Sequence, residues 1–518
     1  MAKGSIGSVL ANSVFYTFGN MLLKVFSFFL IPLYTAYLQP DQYGILNLAS
    51  GFTAVVSCII TMGFQYAVIR FYADLKNDLS KVARMFGTII CSIGGGGIVF
   101  LCGLFLFRNY WCSCIFKGID FYPVIFLAIL ISFVTSLYSV YQDALKGMQQ
   151  ARKSVLLTYV FFFMILVGNI LTVVVLNMGA VGILYATLFV NVIMVGIMFV
   201  DLIKHELFVF CIDRKILKDL LKYSLPIVPH SVSYNISSFV TRIIINSKMS
   251  VSTLGIFSLA SQFGGVADIA LSSVQSAFQP WMFNRLNDFY HDTNDAGVAL
   301  TDIARMSYLL MWVYGLIYII IGSFAQEAVL LMASESYLSS WLYVPIMVFS
   351  IALKSPLYFY NNFLYYNKSK TKFIFITTVI GSVINIFITF WLVPIYGILG
   401  SIVADIIAIF VRLFIVIPVV YSDSKSVYSF VKFIVLSGAL IFSTGVSSRF
   451  ICAGFSGYIN VYPSINSTFI EASSNFSASL NRTLTCFSST TWAGTDSPCD
   501  VIVNERNGFS PLSCTSML

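Results

Sequence analysis

The stretch Tyr43-Gly44-Ile45-Leu46-Asn47-Leu48-Ala49-Ser50-Gly51-Phe52 returns later in the chain as Leu254-Gly255-Ile256-Phe257-Ser258-Leu259-Ala260-Ser261-Gln262-Phe263. Gly, Ile, Leu, Ala, Ser and Phe recur in place at a constant offset of 211 residues. A second echo pairs Gly182-Ile183-Leu184 with Gly397-Ile398-Leu399, and Asn169 with Asn385, at offsets of 215 and 216. Two sequential echoes at nearly one offset are the mark of a duplicated chain, the usual construction of transporter folds. The expectation is two copies of one helical lobe.

The composition says where those copies reside. Of 518 residues, 58% are hydrophobic and 10% charged, against roughly 25% charged in an ordinary soluble domain. Long continuous apolar runs exclude an outer-membrane barrel, whose segments alternate with a period of two, and leave no room for a large soluble catalytic domain. A spanning helix needs about 20 apolar residues. Twelve such windows lie at 12–37, 45–69, 85–107, 121–143, 154–176, 180–201, 225–246, 254–281, 305–325, 338–363, 373–394 and 396–421, with a weaker thirteenth at 427–448. The first follows a single lysine, Lys3, and lacks a small-residue cleavage site, so it is expected to remain as a span. The domain boundaries follow: an N-terminal six-helix lobe over 1–203, an amphipathic linker over 204–224, a C-terminal six-helix lobe over 225–422, an added span over 423–448 and a tail over 449–518. Six is even, so both copies enter the membrane from the same side and the repeat is parallel.

With the N-terminus cytoplasmic, about twenty Lys and Arg fall in inside segments and only Arg108, Lys117 and Lys248 outside, which sets the orientation. The basic residues are scattered between apolar runs and form no nucleic-acid patch. Ten cysteines without CxxC spacing suggest neither a metal site nor a disulfide framework.

Polar residues are costly in hydrocarbon, so those inside spans should face a cavity or a neighbouring helix. Ser13, Thr17, Asn20, Lys24 and Ser27 share one face of span 1, and Ser231, Asn235, Ser238 and Arg242 one face of its copy, span 7. Ser57, Thr61 and Gln65 stripe span 2; Asp268, Ser272 and Gln275 stripe span 8. Four equivalent stripes predict two lobes facing each other across a hydrated cavity, the competing reading being hydrogen bonding between helices. The deep charges are Lys24, Arg242, Asp268, Lys354, Asp405 and Arg412, each costing about 2.5–3.5 kcal/mol at a helix centre. Excess cations suit an anionic ligand, whose phosphate oxygens make charge-assisted hydrogen bonds. Lys24, Arg242, Lys354 and Arg412 are therefore read as substrate-binding cations, with Lys354 beside a helix break at Pro356. Asp268 and Asp405 are read as structural counter-ions or as sites where Na⁺ or H⁺ couples. No catalytic acid–base pair, resident cofactor or metal site is expected.

The repeat, the linker and motifs such as Gly19-Asn20-Met21-Leu22-Leu23-Lys24, Gln39-Pro40-Asp41-Gln42-Tyr43-Gly44, Gln65-Tyr66-Ala67 to Arg70-Phe71-Tyr72, and Val393-Pro394-Ile395-Tyr396-Gly397-Ile398-Leu399-Gly400 resemble the bacterial polysaccharide transporters. These are the oligosaccharide-lipid flippases of O-antigen and capsule assembly, in a superfamily shared with the multidrug extruders. The resemblance covers about 1–448. It implies an all-α polytopic protein with two parallel six-helix repeats in a V-shaped, MATE-like bundle that alternates between inward- and outward-open states. It also implies a polyprenyl-pyrophosphate-linked oligosaccharide as substrate, residence in the bacterial inner membrane among its lipids, and partnership with a glycan polymerase and chain-length machinery. Lys24 stands where the multidrug branch carries an acid, which argues against cationic drugs. The alternatives are a cation-coupled multidrug antiporter on the same fold and a membrane glycan polymerase or ligase. From about Ser448 the chain departs from the resemblance: residues 449–518 are Ser/Thr-rich, contain no Lys and have no window long enough to span. An out-of-frame origin would explain that tail.

Overall fold

The computed structural model describes residues 28, 30–291, 296–367, 370 and 372–424, all within one compact unit, Met1–Ala453. Most of span 1, with Asn20 and Lys24, lies outside the described residues. So do the thirteenth window at 427–448 and the tail from 449.

Among the described residues there is no strand. The helices are α1 (Ile31–Tyr37), α2 (Pro40–Ile60), α3 (Phe64–Leu75), α4 (Leu79–Leu106), α5 (Arg108–Ile115), α6 (Phe126–Gly147), α7 (Ala151–Asn169), α8 (Gly179–Lys204), α9 (Arg214–Ser224), α10 (Val228–Lys248), α11 (Val251–His291), α12 (Ala296–Ser323), α13 (Ala325–Met332), α14 (Val344–Ala352), α15 (Ser355–Tyr366), α16 (Lys372–Tyr396) and α17 (Ile398–Ser424). Nine described stretches are long and apolar enough to cross a membrane, and a tenth if Glu335–Leu342 and Val344–Tyr366, bent by 40°, count as one span. The protein is a multi-pass membrane protein. α10, the seventh expected span, has the length but carries too many Ser, Asn and charged residues to pass on hydropathy.

Two of the expected spans are broken, span 2 where no break is expected and span 10 beside the break expected at Pro356. Span 2 divides into α2 and α3 at Met62 and Gly63, both left-handed with φ of 48° and 73°. Span 10 divides at Leu353 and Lys354, where α15 restarts with Pro356 in its first turn, the position at which proline's missing N–H costs nothing. At 41 residues, α11 is about 60 Å long, twice a hydrocarbon core, and extends past the expected end at 281. Its far portion lies at the basic end of the bundle, which collects Arg70, Lys76, Lys81, Lys146, Lys153, Lys204 and the lysines of α9.

α6 is the hub of the first lobe, packing on α2, α3, α4, α7 and α8; in the second, α11 packs on α12, α14 and α15, while α16 packs on both α10 and α17. Between them α9 carries Leu220 and Ser224 inward and is capped by the Asp213 carboxylate, which accepts from the Lys215 and Ile216 amides.

The duplication is visible in backbone geometry, with one change of register. Gly179 and Gly397 are each left-handed, with φ of +58° and +60°, immediately before or at the start of the sixth and twelfth spans. The second echo thus pairs Gly179 with Gly397 and Gly182 with Gly400, an offset of 218, three residues from the pairing read in sequence. The first echo stands on the inter-lobe contact itself. A methyl group on Gly44 would overlap the Val251 carbonyl oxygen, and one on Gly255 the Pro40 carbonyl oxygen. α2 and α11 therefore cross backbone to backbone at the end opposite the basic one. Tyr337 Oη donates to the Leu38 carbonyl at 3.0 Å, Thr35 Oγ1 to the Met332 carbonyl at 3.0 Å and Asn246 Nδ2 to the Lys117 carbonyl at 3.1 Å, all at that same end. Toward the basic end, α3 packs on α6 and α9, and Tyr66 Oη lies 2.9 Å from Ser231 Oγ.

Candidate functional site

Polar side chains converge in the interior of the second lobe because three helices each turn one toward a shared point. Ser237 Oγ and Thr241 Oγ1, one turn apart on α10, donate to Asn385 Oδ1 on α16 at 3.0 and 3.4 Å. The same amide donates through Nδ2 to Asp405 Oδ1 on α17 at 3.1 Å. Asn385 is buried, whereas Asp405 is exposed, as are Ser238 and Tyr234 on α10. Exposed polar side chains in the middle of spanning helices face water rather than lipid, which marks this as the wetted face of the lobe.

Lys354 reaches the same region from the broken span. Its electrostatic neighbours are Asp405, Tyr234, Asp268 and Tyr358. On α17, Arg412 lies two turns beyond Asp405, its stem crossing α16 at Gly381: Cγ and Cδ stand 2.7 and 2.9 Å from where a Cβ would be. Arg412 Nε and Asp268 Oδ1 are buried without a hydrogen-bond partner, as are both amide atoms of Gln275 and Oε1 of Gln65. Among the described residues, none of Arg242, Lys354 and Arg412 forms an ion pair; the seven ion pairs all lie elsewhere, toward the helix ends. Three cations and two carboxylates thus sit in one lobe, with none of the cations in direct ion-pair contact but Asp405 an electrostatic neighbour of both Lys354 and Arg412.

Arg242 is set apart from this group. It lies about 21 Å along α10 from Val228 and only about 9 Å from Lys248, and Nη1 donates to the Asn47 carbonyl of α2 at 3.0 Å. It reaches the other lobe, not the Asp405 cluster.

The stripe residues divide in the same way. Ser136 Oγ, on α6, donates to Ser57 Oγ at 2.9 Å, and Thr61 is buried with its hydroxyl on the Cys58 carbonyl at 3.1 Å. Both serve bonding within the first lobe. Asn235 Nδ2 donates to the Ser231 carbonyl at 3.1 Å and Ser272 Oγ to the Ile269 carbonyl at 3.1 Å. Sequence reading missed Asn385 as the partner of Asp405, and Ser237 and Thr241 as the hydroxyls that hold Asn385. The available signal was Asn385, a lone amide in an otherwise apolar span.

Known proteins resemble this chain in sequence and in fold. The family model described as polysaccharide biosynthesis protein matches residues 9–285. The "Lsg locus putative protein 1" of Haemophilus influenzae is 22% identical over 414 residues, covering 76% of this chain and 95% of the relative. An inward-facing multidrug resistance MATE family transporter of the MOP superfamily superposes with a TM-score of 0.61 at 14% identity, covering 78% of this chain and 96% of that one. A MOP superfamily transporter from Pyrococcus furiosus, described as having a binding pocket of reverse polarity that suggests a different function, superposes with a TM-score of 0.54 at 15% identity over 81% and 96% of the two chains. At those identities the likeness is one of fold. With more than half of its length matched by the family model, and on the two-lobed, all-helical fold of the MATE transporters, the chain belongs to the polysaccharide biosynthesis protein family.

Proposed function

We propose that this protein is a flippase that carries a polyprenyl-pyrophosphate-linked oligosaccharide from the cytoplasmic to the outer leaflet of the bacterial inner membrane, for O-antigen or capsule assembly. The observation that carries the reading is the excess of deep cations outside any ion pair, Lys354 and Arg412 beside the wetted face of the second lobe and Arg242 near its far end, over the two carboxylates Asp405 and Asp268. An unpaired cation in a membrane interior is offset best by an anionic ligand, and a pyrophosphate supplies several acceptor oxygens at once. The basic end is cytoplasmic by the positive-inside rule. We read the end where the lobes cross as the outer one, so that substrate is received from the cytoplasm at the other, where Tyr66 and Ser231 touch across the lobes. Rocking of one lobe against the other presents the cavity outward, while the lipid tail stays in the bilayer.

Asp405, held by Asn385 with two hydroxyls behind it, offers oxygen ligands for Na⁺ or a carboxylate for H⁺, and is our candidate for coupling; Asp268 is the second. A glycan polymerase and its chain-length machinery would receive the product. The antiporter reading rests on those same two carboxylates, but the cations beside them disfavour a cationic drug.

The test is translocation of a polyprenyl-pyrophosphate oligosaccharide in vesicles holding the purified full chain, read by access of an impermeant glycosidase. Wild type should transfer the glycan; Lys354→Gln, losing a charge-assisted bond worth about 1.5–3 kcal/mol, should be slower by about tenfold or more. Lys24→Gln should behave likewise. Wild-type rates in both variants would overturn the cationic-cavity reading.

A further inference from the structure

Arg242 is placed oddly for a residue that only lines a cavity. Its guanidinium, with five N–H donors, has one acceptor given by the structure, the Asn47 carbonyl on the opposite lobe, at 3.0 Å. That carbonyl sits inside α2, where the amide four residues on, Gly51, is its ordinary helical partner. Gly51 is also what admits the side chain: a Cβ there would stand 2.8 Å from Arg242 Nη1 and 3.0 Å from Phe239 Cδ2. Phe239, three residues before Arg242 on α10, packs against Phe52 of α2 and Phe116. No carboxylate forms an ion pair with Arg242 among the described residues; its electrostatic neighbours are the phenols of Tyr43 and Tyr234. The contact lies within two turns of the Gly44–Gly255 crossing, at the end that is closed.

From this geometry we infer that Arg242 is a substrate-sensitive latch: it holds the far end shut through the Asn47 carbonyl, and a phosphate or pyrophosphate entering the cavity draws the guanidinium off and frees that end to open. The direction follows from bond strengths. A phosphate oxygen carries the charge opposite to the guanidinium and offers it two parallel acceptors in a bidentate fit, whereas the Asn47 carbonyl is neutral and offers one. Asn47 loses little, because its carbonyl keeps the helical bond. A neutral ligand, or a cationic one, has no purchase on the latch, so opening is tied to the charge of the cargo. The inference rests on the flippase reading for the identity of the anion, but not for the latch itself.

The far end carries its own reporter. Lys117 and Lys248 are both exposed, and the Asn246–Lys117 bond brings their segments together across the lobes. Cross-linking of that pair by a short amine-reactive reagent, quantified by mass spectrometry on the full chain in detergent, reads closure without added probes. Inorganic pyrophosphate should lower the wild-type yield by roughly twofold or more, and chloride at equal ionic strength should not. Arg242→Gln should give a low yield that pyrophosphate does not change. Gly51→Ala keeps the charge but obstructs its seat and should also lower the yield without pyrophosphate, whereas Arg242→Lys should restore closure in part together with its response. A farnesyl pyrophosphate arm separates the sources: a stronger effect than that of the inorganic ion assigns the trigger to a lipid-linked anion, an equal effect to pyrophosphate alone. Wild-type yield and response in Arg242→Gln would overturn the latch, as would a wild-type protein indifferent to pyrophosphate. Glycolipid transfer with no change in cross-linking would remove the latch and leave the flippase reading; a responsive latch with no glycolipid transfer would do the reverse.

Discussion

Asp405 shows how far one residue can be read from sequence and where that reading stops. A carboxylate in an apolar run is conspicuous, because a charge at that depth costs about 2.5–3.5 kcal/mol, and the same logic singled out Asp268, Lys354 and Arg412. What sequence could not supply was their company. Ser237 and Thr241 lie on the side of α10 adjacent to the stripe counted from Ser231, Asn235, Ser238 and Arg242. They become relevant only because α16 brings Asn385 to them. Conversely, Ser57 and Thr61 have the spacing of a cavity stripe, and their hydroxyls bond within the first lobe; spacing gives a face but not what that face meets. The Asn385 contact yields a prediction. In Asp405→Asn the side-chain oxygen can still accept from Asn385 Nδ2, so melting in detergent should stay within about 1 kcal/mol of wild type. Transport should lose its dependence on Na⁺ or on pH, whichever wild type displays. Unchanged ion dependence in a well-folded Asp405→Asn protein would remove this residue from coupling.

At the level of elements, the spans were legible because length and apolarity are what a bilayer selects. The breaks were legible only where a residue type announces them. Pro356 marked the division of span 10, but the break at Met62 and Gly63 rests on backbone angles, and a glycine inside an apolar run reads equally well as packing. The three-residue slip in the second echo has a similar cause: Gly179-Ala180-Val181-Gly182 offers two glycines, and only φ shows which of them begins the span. Where two elements touch backbone to backbone, the consequence is sharp. Gly44→Val should force α2 from α11, with an overpacking cost of about 1–3 kcal/mol. The loss should appear as lower Lys117–Lys248 cross-linking and a lower melting temperature; a variant closed and stable as wild type would show the crossing to be loose. At the other end of the bundle, Asp78 caps α4, accepting from Ser80 Oγ and the Lys81 amide. These bonds, with Lys81 Nζ beside it, hold its carboxyl down at about 2. Because that value is depressed, the cap is fully present above the ordinary carboxylate range near 4 and fades only as pH falls toward 2. Asp78→Ala should accordingly speed amide exchange in the first turn of α4 at neutral pH and leave the rest of that helix protected.

Across the whole molecule, the two copies keep a common backbone but divide the chemistry unequally. Among the described residues, every charge deep in a span belongs to the second lobe, while the first lobe's charges gather at its ends, where Lys153, Tyr141 and His205 surround Asp201. Duplication preserved what both copies need, the glycines at the crossing and at the span starts. The copies differ in the deep charges of their described residues, which is why the fold could be read from echoes and the proposed site could not. If the lobes rock as proposed, the end at which they are joined must part to complete a cycle. A cleavable amine cross-linker joining Lys117 to Lys248 should stop transport in proportion to the fraction joined, and cleavage should restore it. Lys248→Arg, which cannot be joined, should remain active under the same treatment. Full transport by a fully joined protein would mean that substrate leaves without separation of this end, and rocking of the lobes would have to be abandoned as the mechanism.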